Sequence, residues 1–245
     1  QLFAARVGVG VGEAALSPAA YSMIADLFPA QKLGRALSVY TTGAFVGAGL
    51  AFIIGGTAIA AITTSPEITL PVIGTIRSWQ AAFFLVGLPG LLVAALMYTV
   101  KEPLRRFNKE TEGEIVTIRE VFAYVRARWR LFGAHFIGFS MLGVVFNGFT
   151  AWTPAFLSRS FDMPVGESGP AIGAMILVFS TTGIIVGGWL TDYFVKRGLV
   201  DGAMRTGLIA GICSVPFAAA VPFIPSLTGV LAVYAPLLFF ASFGF

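Results

Sequence analysis

Seven long apolar segments dominate this chain, at about residues 2–28, 36–63, 79–100, 131–157, 170–194, 203–223 and 226–245. Most reach the roughly 20 residues needed to cross about 30 Å of hydrocarbon. Inside a bilayer every backbone N–H and C=O must be paired within the protein, which leaves helices or a closed barrel. Barrel strands are alternating segments of about ten residues, and these runs are too long and too continuous for that. The expected fold is therefore all-α, a polytopic transmembrane helical bundle. Composition agrees, with 11% charged residues where a soluble domain has about 25%. The single cysteine, Cys213, sits in an apolar run, which excludes a disulfide or a cysteine-based metal site within the chain.

Orientation follows from Lys and Arg. The 29–35 loop holds Lys32 and Arg35, and the 195–205 loop holds Lys196, Arg197 and Arg205. The 101–130 connection holds Lys101, Arg105, Arg106, Lys109, Arg119, Arg126, Arg128 and Arg130. These are 13 of the 16 basic residues, and alternating spans place all of them on one side, the cytoplasmic one. Arg77 and Arg159 fall opposite, and Arg6 is intramembrane. The net charge of +4 is thus a topology signal, and no nucleic-acid partner is expected.

The long connection divides the chain. Residues 1–100 read as three spans, 101–130 as a cytoplasmic loop, and 131–245 as four spans, the last one incomplete. Glu102 and Pro103 stop the preceding helix, and 104–116 is polar. Ile118, Val121, Phe122, Val125 and Trp129 then recur at helical spacing among four arginines. That pattern predicts an amphipathic helix on the cytoplasmic surface; the alternative is a solvated charged linker. A long basic loop between two helical bundles is the organisation of a two-halved transporter.

The opening stretch carries opposite charges inside an apolar run. Arg6 and Glu13 are seven residues apart, about two helical turns, and so share roughly one face. A charge at bilayer depth costs at least about 2.5–3.5 kcal/mol, so such residues normally face a protein interior or a wet cavity. Gly8, Gly10 and Gly12 lie between them and can admit another backbone or a substrate. The pair is a candidate transport site; the alternative is an ion pair that only joins two helices. Glu13 is the candidate proton carrier, because a low-dielectric cavity raises a carboxyl pKa and a nearby cation lowers it. Arg6 is the candidate clamp for an anionic head group.

The run Gly187-Gly188-Trp189-Leu190-Thr191-Asp192, continuing to Lys196, Arg197 and Gly198, resembles the G-x-L-x-D-x-x-x-R/K signature of the major facilitator superfamily. A fainter copy runs from Asp26 to Arg35. In the opening stretch, Arg6, Gly8, Gly10, Gly12, Glu13, Ala14, Ser17 and Pro18, then Ile24 to Pro29, are similar to the fourth helix of the spinster-like branch. Residues 79–103, from Trp79 through Gly87, Pro89 and Gly90 to Lys101-Glu102-Pro103, resemble that branch as well. The resemblance implies a major-facilitator bundle truncated at both ends, running from about the fourth to the tenth of twelve helices. The start at Gln1 and the close at Phe245 inside an apolar run agree with a fragment. It also implies a transported lysophospholipid or sphingoid lipid, in some cases coupled to protons. By the same analogy Asp192 meets the N-terminus of the helix that begins near Gly34 and Arg35, as a gating residue, with Lys196 and Arg197 bracing that closure. For Lys196 and Arg197 the alternative is topology alone; for Asp26, a local helix-end contact with a partner such as Arg35.

Tyr40, Thr41 and Thr42 are weaker cavity candidates on the second span. Asn147 and Trp152 are candidates on the fourth, with His135, Ser140 and Thr150 nearby. Pro89, Pro154, Pro216 and Pro222 are points where helices can bend. No Walker loop, metal-ligand cluster or Ser/His/Asp spacing points to an enzyme, and no cofactor is implied. The expected protein is an integral multi-pass carrier, in the inner membrane if bacterial. It is expected to be a monomer whose partners are its substrate, protons and membrane lipid. Two alternatives remain at this point: a carrier of a soluble organic anion such as a sugar acid, and a seven-helix receptor.

Overall fold

The computed structural model describes residues 2–14, 16–64, 67–70, 74–101 and 117–244. The side chains of Arg6, Arg77, Trp79 and Pro89 are among those outside the description, as is the whole 102–116 stretch with Glu102, Pro103, Arg105, Arg106 and Lys109.

The helices in chain order are α1 (Leu2–Ala14), α2 (Leu16–Leu27), α3 (Ala30–Thr64), α4 (Ser78–Met97), α5 (Ile118–Ala127), α6 (Trp129–Phe161), α7 (Val165–Met175), α8 (Thr181–Lys196), α9 (Gly202–Ala220) and α10 (Leu227–Ala241). Among the described residues five stretches are long and apolar enough to cross a membrane: Ala30–Ala58, Trp129–Phe161, Val165–Lys196, Gly202–Phe223 and Leu227–Gly244. The sequence predicts seven; the other two, 2–28 and 79–100, include residues or side chains outside the description. The first, 2–28, is described as α1 and α2, on either side of residue 15, which lies outside the described residues. The other, α4, has 20 residues, several with side chains outside the description.

Two short strands join an otherwise helical chain. β1 (Glu67–Leu70) and β2 (Gly74–Arg77) pair antiparallel with Ile68 opposite Ile76. The residues are largely β-branched, which suits a pleated backbone, and Gly74 takes φ +81° at the turn into β2. The sequence pattern predicts only a connection between two spans here.

The core belongs mainly to the second half. Leu157, Ile172, Ile176, Ile184, Val230, Leu237 and Leu238 are all buried together, and Phe45 of α3 joins them. α7 and α8 form one rod through five π-helical residues, Ile176–Ser180. Pro154 and Pro216 lie inside α6 and α9, and Pro222 lies in the 3-10 turn that ends α9.

The helix predicted around 117–130 forms as α5. Thr117 caps it: its hydroxyl accepts the Glu120 N–H, and the Glu120 carboxylate accepts the Thr117 N–H at 2.8 Å. Those bonds from Thr117, its backbone N–H first, hold the Glu120 carboxyl below its ordinary value. A depressed folded value means that the cap contributes above the unfolded carboxylate range and is lost as pH falls through the folded value. The first turn of α5 is therefore expected to fray on acidification. A spin label at position 118 should gain mobility as pH drops below that range, and Glu120→Gln should flatten the response.

Candidate functional site

The most complete polar arrangement lies where α8 meets the start of α3. Asp192 is 2% exposed. Its Oδ1 accepts the backbone N–H of Gly34 at 2.9 Å, and its Oδ2 accepts the Arg35 N–H at 3.3 Å and the Arg35 Nε–H at 2.8 Å. The helix begins at Ala30 and not near Gly34, so these donors stand in its second turn, where the positive end of the dipole still favours a carboxylate. Charge-assisted bonds to three donors offset the desolvation that burial imposes on the ion. The Arg35 side chain is 42% exposed, so the pair is half in solvent.

Glycines make the approach possible. A Cβ on Gly34 would stand 2.7 Å from Asp192 Oδ1 and 2.9 Å from the Gly188 carbonyl oxygen. A Cβ on Gly188 would stand 2.4 Å from Ser38 Oγ. The close contact continues away from the clamp, with Gly49 against Gly173 and Gly56 against Gly169, and ends with Gly166 against Ala60. α3 therefore runs antiparallel along the whole α7–α8 rod. Beyond the clamp, the Thr191 hydroxyl donates to Thr206 Oγ1 at 2.9 Å and ties α8 to α9.

The other residues singled out in the sequence are dispersed. Arg6 and Glu13 both lie on α1; Glu13 is exposed, and the Arg6 side chain is outside the description. A Cβ on Gly8, Gly10 or Gly12 would meet nothing within 4 Å, so no described backbone approaches there. Tyr40 packs edge-on to Tyr21 with ring centroids 5.6 Å apart, which holds α2 to α3. The Thr41 hydroxyl donates to the Leu37 carbonyl of its own helix, and the Asn147 side-chain amide donates to the Gly143 carbonyl of α6. Trp152 is 70% exposed and lines an apolar cavity of about 360 Å³ with Thr153, Phe156 and Tyr234. Asp26 is buried at the end of α2. Lys196 is exposed, and Arg197 caps α8 with its guanidinium 4.6 Å over the Tyr193 ring.

Two features escaped the sequence reading. Thr153 and Tyr234 share a hydrogen bond between α6 and α10, both buried. The glycine contacts of α3 with α7 and α8 are the other, although the short spacing of Gly166, Gly169 and Gly173 was a signal that one helix face was bare.

Glycine-lined helix crossings and membrane-length spans together define a polytopic membrane protein of the helical-bundle type. The profile of the Major Facilitator Superfamily matches residues 1–245, and the chain belongs to that superfamily. A probable L-galactonate transporter of Escherichia coli (strain K12) is 26% identical, over 95% of this chain and 51% of its own. Protein spinster homolog 1 of Bos taurus is 32% identical, over 67% of this chain and 29% of its own. A crystal structure of a bacterial homologue of the human lysosomal transporter spinster, inward-facing and unoccupied, superposes with TM-score 0.62 at 26% identity, over 98% of this chain and 53% of that one. The chain thus spans about half the length of the first of these relatives and of that structure.

Proposed function

We propose that this chain is part of a secondary active transporter that moves an amphipathic or anionic small molecule by alternating access, coupled to protons. Membership of the superfamily supports the class. The observation that carries the reading is the Asp192 clamp, which joins a helix before the central loop to a helix after it. In this reading residues 1–100 and 131–245 belong to two bundles and 101–130 connects them. A contact made of three hydrogen bonds, one of them a half-exposed ion pair, is strong enough to hold one closed arrangement and weak enough to break. Asp192 and Arg35 are then gating residues, with Lys196, Arg197 and Asp26 at the same cytoplasmic end.

The coupling role falls to Arg6 and Glu13. Anionic substrate on Arg6 takes the cation from Glu13, and a carboxyl without its cation in a low-dielectric cavity binds a proton. Tyr40, Thr41, Asn147 and Trp152 are the proposed polar and aromatic walls. A lysophospholipid or sphingoid-type lipid is the favoured substrate, supported by the spinster likeness, which rests mainly on residues 5–36 and 79–103 and is shared in part by organic-anion branches. A soluble sugar acid is the second reading, favoured by the likeness to the L-galactonate transporter over 95% of the chain. The protein acts as a monomer in the membrane and is not an enzyme.

The test is uptake by the reconstituted protein under an imposed pH gradient, comparing labelled lysophospholipid with a sugar acid. Glu13→Gln is expected to reduce gradient-driven uptake at least tenfold, a typical loss for an obligatory proton-transfer group, and to spare substrate binding. Gradient-driven uptake that survives in the variant would demote Glu13 to a structural partner of Arg6. Uptake of the sugar acid alone would keep the carrier and change the substrate.

A further inference from the structure

Helix α5 presents a surface that the described chain leaves uncovered. Ile118, Val121 and Phe122 are 77%, 50% and 72% exposed. They fall at i, i+3 and i+4 and so share one face. Val125 extends that face, and Trp129, 65% exposed, closes it. Arg119, Arg126, Arg128 and Arg130 are all exposed beside it. Two of the guanidiniums lie over rings, Arg128 4.0 Å from the Tyr124 centroid and Arg130 5.6 Å from that of Trp129. Within residues 117–130 the one acidic group is Glu120, whose carboxylate is turned back to cap the helix at Thr117.

Position decides what can meet this surface. Arg128 alone separates α5 from α6, whose residues Trp129–Phe161 are long and apolar enough to cross a membrane. The apolar face of α5 therefore lies at the level where the span leaves the hydrocarbon, on the side rich in Lys and Arg. A helix with an apolar face and flanking cations lies in the plane of that interface. The arginine fork pairs phosphate in bidentate fashion, and tryptophan prefers the headgroup level.

We propose that α5 and the first turn of α6 form a binding surface for anionic phospholipid headgroups. Ile118, Val121, Phe122 and Trp129 reach the acyl boundary, and Arg119, Arg126, Arg128 and Arg130 hold the phosphates. This surface is separate from the Asp192 clamp and from the α1 charges, and it does not depend on what is transported.

The protein would be placed in phosphatidylcholine nanodiscs with and without phosphatidylglycerol. A spin label at Val121→Cys, in a Cys213→Ala background, reports depth, and native mass spectrometry reports which lipid is retained. The label should sit at headgroup depth, and phosphatidylglycerol should be retained over phosphatidylcholine. Replacing the four arginines by glutamine should lower that preference about tenfold or more, whereas replacing them by lysine should keep most of it. An unchanged preference in the glutamine variant would overturn the proposal. So would a wild-type label facing bulk water, or one shielded from both lipid and water by protein; this wild-type measurement needs no charge replacement.

Discussion

Replacing Asp192 with alanine is expected to destabilise the protein by about 1–4 kcal/mol and to part the start of α3 from α8. The range follows from what the carboxylate holds. Two backbone N–H groups, of Gly34 and Arg35 in the second turn of α3, lose an acceptor, and each lost hydrogen bond costs roughly 0.5–1.5 kcal/mol. The Arg35 Nε bond is charge-assisted, but its side chain is 42% exposed, so solvent replaces part of it and it adds at most about 1 kcal/mol. Three variants should therefore rank in order. Asp192→Ala loses all three bonds, Asp192→Asn keeps the volume and one acceptor, and Arg35→Gln removes only the half-exposed partner. Thermal melting in detergent reads the order, and a double-mutant cycle of Asp192 with Arg35 isolates the pair. A cysteine at Thr191 should also become more reactive to a membrane-impermeant maleimide in the alanine variant. Equal melting of Asp192→Ala and wild type would remove the clamp from the closure mechanism.

That contact was reached through the family resemblance, which rests on a local motif and implies its partner. Asp192 sits in a spaced run of Gly188, Leu190 and Lys196, and Gly34-Arg35 follows a proline at a helix start. The spans and α5 were legible directly: continuous apolar length and a 3.6-residue period are properties of one segment. Pairings between segments were not. Nothing in the order of residues says that Gly188 faces Ser38 or that Thr153 reaches Tyr234 across α6 and α10. The β1–β2 hairpin was hidden because four-residue strands give too short a pattern beside apolar runs of twenty. For Arg6 and Glu13 the sequence supplied a shared helix face, but a cavity needs walls from other helices. The open space around Gly8, Gly10 and Gly12 shows that the described chain does not supply them.

Gly173→Val is expected to be the most damaging single substitution along the α3 contact. A Cβ at residue 173 would lie 2.5 Å from the Gly49 carbonyl oxygen and 2.7 Å from Ile53 Cγ1, with the Ile53 nitrogen at 3.0 Å. Two of these three neighbours are backbone atoms of α3, so the clash cannot be relieved by turning a side chain. One extra methyl in a packed interior costs about 1–3 kcal/mol, and alanine returns about 1 kcal/mol of helix propensity over glycine. Gly173→Ala should therefore lose about 0–2 kcal/mol. Valine adds two further methyls in the same space, and its loss should exceed that of alanine and approach unfolding of the α3–α7 contact. The control is Gly47→Ala on the same α3 helix, where a Cβ meets nothing within 4 Å; it should melt at or slightly above wild type. If the helices slide during transport, the close backbone approach is also the surface on which they move. Gly173→Ala should then slow uptake by more than its melting temperature implies. Melting and uptake measured together on the three variants decide the matter. A Gly173→Val protein that melts like wild type would mean that α3 and α7 do not pack this closely. A Gly173→Ala protein that melts lower yet transports at the wild-type rate would leave the contact structural and take it out of the transport cycle.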